Sequence, residues 1–138
     1  MNSIVKTSLF IPNRFFVDGK EMYVSFNIAV IPEDMALISM TLYVPLPVGN
    51  LEAQLYLHEI TTGWDEQHIQ SVRPTLSELI NRRQISPGTR EESFHLEHLA
   101  HGWRFNSFEN HGVYVRLESA DQIQFSPEEP PYLILGTV

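Results

Sequence analysis

The chain has 138 residues, the length of one domain, and sets 9 Lys+Arg against 17 Asp+Glu for a net charge of −8. That balance argues against nucleic-acid binding and against docking on anionic membranes, both of which rely on clustered positive charge. The lack of cysteine excludes disulfides, thiolate metal sites and Cys nucleophiles, and the 43% hydrophobic, 19% charged composition is that of a folded globule.

Taken in chain order, Ile4 to Phe10 reads as a strand. Its apolar stretch ends at Pro12 and is shorter than the roughly seven residues an export signal needs, so no signal peptide is read. No later stretch approaches the ~18 apolar residues of a membrane span. Met22, Val24, Phe26 and Ile28 alternate with Tyr23, Ser25 and Asn27, and Ile38, Met40, Leu42 and Val44 alternate with Ser39, Thr41 and Tyr43. Val113, Val115 and Leu117 alternate with Tyr114, Arg116 and Glu118. Period two marks strands with one face on a core. Ala53 to Ile60, Ser93 to Leu96, Gln122 to Phe125 and Tyr132 to Gly136 are further expected strands, the last an edge strand delivered by Pro130 and Pro131. Leu76, Leu79, Ile80 and Arg83 fall at helical spacing, so Thr75 to Gln84 is expected as a short helix or turn with Thr75 as its N-cap. Arg82 to Glu92 reads as a polar loop, and Glu97 to Gly102 as one helical turn. Frequent Pro and Gly between short strands predict an all-β, antiparallel sandwich of jelly-roll type in a single domain over 1–138, with one or two short helical turns.

The order of certain landmarks is more specific. Tyr23 to Ile28 and Ile38 to Tyr43 are followed by Leu55 to Glu59, then Gly63-Trp64-Asp65-Glu66 and Pro74. Phe94 to Glu97, Trp103, Asn110 to Leu117, Phe125 to Glu128 and Pro131 to Leu135 complete the series. Over about residues 20–137 this order resembles the DNRLRE domain family of microbial surface proteins and, more distantly, is similar to the propeptide fold of transforming growth factor beta precursors. The chain departs from the family in lacking the string that names it and in reading Phe94-His95-Leu96-Glu97 where an acid and a Thr are usual. The resemblance implies a jelly-roll sandwich, mostly non-catalytic, with some members binding polysaccharides. It makes Trp64, Asp65, Glu66, Pro74, Trp103 and Gly112 structural landmarks, and it carries over no catalytic residue.

Trp64 and Trp103 are sugar-stacking candidates on one reading and core residues on the stronger one. Asp65 and Glu66 suit a turn in which carboxylates accept backbone N–H groups. Tyr23, Tyr43, Tyr56 and Tyr114 occupy the polar phase of their strands; on one sheet they would form a ligand-binding face, while the plainer reading is that tyrosine suits a half-exposed sheet surface. Arg73, Arg82, Arg83 and Arg90 form the one basic region, where an acidic ligand could dock. Among six histidines, His98 and His101 are the weak candidates for half a metal site, so no metal is assigned and no cofactor is expected. The adjacent acids Glu33-Asp34, Asp65-Glu66, Glu91-Glu92 and Glu128-Glu129 do not suit glycoside hydrolysis, because neighbours in a strand face opposite ways.

These readings point to a non-catalytic structural or adhesive module of a microbial cell or spore surface, which assembles through edge strands or docks other surface proteins. The lack of a readable leader fits deposition from the cytoplasm, for example onto a spore. A carbohydrate-binding module for a polysaccharide is the alternative, and a glycan-active enzyme on a jelly roll is the second alternative.

Overall fold

The computed structural model describes residues 4–138. Strands hold 44% of the chain and helices 11%, which makes the class all-β. Among the described residues nine strands run in order: β1 (Lys6–Phe10), β2 (Arg14–Asp18), β3 (Glu21–Ser25), β4 (Leu37–Pro45), β5 (Ala53–Ile60), β6 (Leu76–Ile85), β7 (Glu91–His95), β8 (Val113–Ser119) and β9 (Tyr132–Thr137). One helix, α1 (Glu97–Phe105), follows β7, and 3-10 turns lie at Ile28–Val30 and Ser107–Glu109. The strands form two antiparallel sheets, β1-β9-β4-β7 and β2-β3-β8-β5-β6. Without β2, this is the interleaved order of an eight-stranded jelly roll; β2 is added outside β3.

The core explains the alternation. Met22 and Val24 of β3, Leu55 and Leu57 of β5, and Val113, Val115 and Leu117 of β8 project from the five-stranded sheet. They meet Met40, Leu42 and Val44 of β4, Phe94 of β7, and Leu133 and Leu135 of β9. Burying each such side chain stabilises the fold by about 1.5–3 kcal/mol. Trp103 and Ala100 of α1 close one end of this core.

Four expectations are corrected. The expected helix at Thr75 to Gln84 is strand β6. It is an edge strand paired with β5, and its register shifts between Leu57 and His58 and again between His58 and Ile60. Asn81 therefore opposes Leu57 while Leu79 opposes His58 and Leu76 opposes Ile60. Bulges of this kind, common on sheet edges, broke period two into spacings of three and one that mimic a helix. The polar loop expected from Arg82 shrinks to the turn between Ile85 and Glu91. Tyr132 to Gly136 is an interior strand between β1 and β4, its prolines lying before the ladder begins. Gln122 to Phe125 joins no sheet: Phe125 is buried and its N–H bonds the Gly19 carbonyl at 2.9 Å, so this segment is held singly. In addition α1 runs past Gly102 to Phe105, and Ile4 to Phe10 pairs with β9 of its own molecule through Lys6–Phe10.

At the start of β8 the backbone passes so near β3 that a Cβ on Gly112 would lie 2.0 Å from the Val24 carbonyl oxygen, at φ +84. Gly88 has a similar φ, +82, with nothing within 4 Å. Gly88→Ala is expected to cost about 1 kcal/mol, the price of the left-handed backbone alone. Gly112→Ala is expected to cost several times more or to prevent folding. Urea midpoints of the two variants check this, and equal losses would show that the close approach carries no weight.

Candidate functional site

The register places the outward residues of the five-stranded sheet in rows. Phe16, Tyr23, Tyr114, His58 and Leu79 form one row across β2, β3, β8, β5 and β6. Asp18, Glu21, Arg116, Tyr56 and Arg82 form the next. The first row is covered at β2, β3 and β8, while Leu79 on β6 stays exposed. The connection between β5 and β6 folds back over it, so that Tyr23, Tyr114, Ile60, Trp64 and Ile69 make a second buried cluster with Phe16 against it. The Trp64 indole N–H donates to the His111 carbonyl at 2.7 Å. Arg14 stacks on Trp64, 5.0 Å from its ring, and donates to the carbonyls of Trp64 and Asn110. Asp65 Oδ1 accepts the N–H groups of Gln67 and His68, both at 2.9 Å, which closes the turn; Glu66 reaches the Phe15 N–H at 3.4 Å, and Pro74 is buried.

The tyrosine face is therefore not an open platform. Tyr23 and Tyr114 are buried under the connection. Tyr43 lies on the other sheet, stacked on Tyr132 at 5.1 Å and 8°. Tyr56 keeps its place on the five-stranded sheet, but the Arg116 guanidinium covers its ring at 4.2 Å. The basic region is dispersed as well. Arg82 and Arg83 are neighbours in a strand and point to opposite faces. Arg83 bonds Glu92 at 2.9 Å and lies over Phe94, Arg73 bonds Asp18 at 2.6 Å, and Arg90 sits exposed in the turn before β7.

A cleft of about 350 Å3 opens at the end of the sandwich, lined by Glu59, Thr61, His98, Leu99, Trp103, Glu109 and His111 among others. Glu59 continues the inward phase of Leu55 and Leu57 on β5, whose register with β8 is unbroken, and so points to the core side, where Trp103 donates to Glu59 Oε2 at 3.4 Å. Opposite, His111 stands on a rigid ledge. Its neighbour Asn110 is buried and donates to the Phe26 carbonyl at 2.7 Å, while Gly112 abuts β3. Both tryptophans are thus buried, and each uses its only polar side-chain atom to place one wall of the cleft. His101 faces another part of α1, 5.0 Å from Phe105, so it does not join His98. Among the described residues no three His, Asp or Glu groups are placed to hold one metal ion. Sequence reasoning missed Glu59, Glu109 and His111 as a set because they line the cleft from β5, a 3-10 turn and the ledge before β8, segments far apart in the chain.

The four-stranded sheet differs from its partner. Its outward residues are Val5, Thr7 and Leu9 around β1, Ile134 and Tyr132 of β9, Thr41 and Tyr43 of β4, and Ser93 and His95 of β7. Leu9 is 61% exposed, Val5 53% and Ile38 52%, and Ile11 just beyond β1 is 73% exposed. No described segment crosses this face. No family model matches the chain, and no curated protein matches it.

The hydroxyls of the two faces titrate late. Burial, reinforced by the hydrogen bond to Glu21, holds the Tyr114 phenol well above its ordinary range. Burial also raises Tyr23, against the hydrogen bond from Arg73. The hydrogen bond to Glu91 pushes Tyr132 up to about 12. All three hold their protons more tightly folded than unfolded. The stability they contribute is therefore fully present below about pH 10 and is lost as pH rises through the folded values. Tyr114→Phe is expected to lower stability at neutral pH by ~1–2 kcal/mol, through the lost bond to Glu21, and to flatten the alkaline decline. Urea midpoints measured across that range check this; parallel curves for the variant and the parent would refute it.

Proposed function

We propose that the chain is a non-catalytic β-sandwich module of a microbial surface that acts by associating with further copies of itself. The observation that carries this is the bare outer face of the four-stranded sheet. Leu9, Val5 and Ile38 are each more than half exposed on it, and exposed apolar side chains gathered on one face mark a site of association. A net charge of −8 would repel a second copy over most orientations. Among the outward strand residues of this face, the carboxylate and imidazole groups are Glu91 and His95, both on edge strand β7. A second copy is thus opposed least where the apolar surface is greatest. The landmark order that resembles DNRLRE domains supports the assignment to a surface, as does the jelly-roll order of strands.

Binding of a polysaccharide is the second reading, favoured by one feature, the parallel Tyr43–Tyr132 stack on the two middle strands of this face. The two readings part in solution. Sedimentation at tens of micromolar is expected to show a dimer or larger species. Leu9→Glu with Ile134→Lys is expected to give a monomer of unchanged melting temperature. A monomeric parent chain would overturn self-association, and glycan-array binding lost in Tyr43→Ala would then favour the polysaccharide reading. Turnover of aryl glycosides, abolished in Glu59→Gln, would overturn the non-catalytic assignment.

A further inference from the structure

The cleft at the end of the sandwich is rich in acceptors and holds no Lys or Arg. Glu59 and Glu109 bring two carboxylates, and His98 and His111 two imidazoles. Among the described residues, the side chains of His98, Glu109 and His111 have no hydrogen-bond partner in the chain, and Glu59 has only Trp103. Leu99, Ile60 and Trp103 supply an apolar floor. We infer that this cleft binds a protonated aliphatic amine, with the ammonium between the carboxylates and its methylene stem on the floor.

Each alternative ligand class meets an obstacle on the page. An anion would face two carboxylates and no basic residue. A metal ion needs ligands within roughly 2.0–2.3 Å of one point, and no three such groups converge. An ammonium makes hydrogen bonds of about 2.7–2.9 Å to oxygens around it and so accepts wider spacing. A neutral polyol matches the acceptors but lacks the charge assistance that roughly doubles the strength of each bond. The walls are prebuilt: Trp103 holds Glu59, and Trp64 with Asn110 and Gly112 holds the His111 ledge. Little ordering is then required on binding. The site lies away from the bare sheet face, so its failure and that of self-association are separable.

Amines of this kind occur as free diamines and as lysine side chains of a partner. Cadaverine and N-acetyl-lysine methylamide represent the two, with pentanediol and glutarate as uncharged and anionic controls of similar length. Each is titrated into the full chain while amide and indole N–H chemical shifts are followed. Saturable shifts confined to His111, Glu59 and the Trp103 indole are expected with both amines and not with either control. The tighter amine identifies the source. Glu109→Gln, at an exposed residue bonded to no side chain, and Glu59→Gln are each expected to weaken binding about tenfold. Equal shifts from pentanediol, or amine shifts scattered over the acidic surface and unchanged in both variants, would overturn the inference.

Discussion

The Trp64 indole donates its single hydrogen to the His111 carbonyl, joining residues 47 apart in the chain at 2.7 Å. A buried indole N–H needs an acceptor, and a buried carbonyl needs a donor. Satisfying both draws the β5–β6 connection down onto the five-stranded sheet. Ile60 and Ile69 are then buried with Tyr23 and Tyr114, and Arg14 closes the margin by stacking on Trp64 while bonding two backbone carbonyls. The same bond steadies the ledge from which His111 enters the cleft.

Closing one sheet leaves the other bare. A sandwich of this size has two outer faces, and each must be polar, covered by its own chain, or covered by something else. The five-stranded sheet uses both of the first two solutions: the Trp64 connection covers the β2, β3 and β8 part of one row, and Asp18, Glu21, Arg116 and Arg82 populate the next. The four-stranded sheet uses neither over β1 and β9. Its edge strand β1 lines up Leu9 beside Ile134 of β9, and a Cβ on Gly136 would lie 3.4 Å from Ile38 and 3.7 Å from Val5. The apolar residues thus fall in two groups on one face, Leu9 with Ile134 and Val5 with Ile38, and the row of Thr7, Gly136 and Ser39 runs between them.

The strands that face the main core were legible because burial on one side imposes strict alternation. β3, β4, β5 and β8 follow that rule. β2 escaped notice although Asp18-Gly19 after Phe15-Phe16-Val17 is a hairpin signal; as an added edge strand with all of Arg14–Val17 only partly buried, it shows no two-phase pattern. β6 escaped because its bulges inserted residues that pair with nothing, so the count between inward side chains no longer ran in twos. The tyrosine face and the basic region failed for a different reason. Phase within a strand shows that two residues point the same way, but not which sheet each strand joins or what folds over it. Tyr43 went to the other sheet, and Tyr23 and Tyr114 went under the Trp64 connection.

By itself the sequence determined an acidic, cysteine-free, all-β sandwich, since composition and period two depend only on which residues avoid water. The tertiary structure alone decided which outer face is closed and which is bare, and which acids and imidazoles share a cleft. Those are contacts between segments far apart in the chain, set by register and by single long-range hydrogen bonds such as that of Trp64. No local pattern of residues encodes them, because their energy exists only once both sheets are in place.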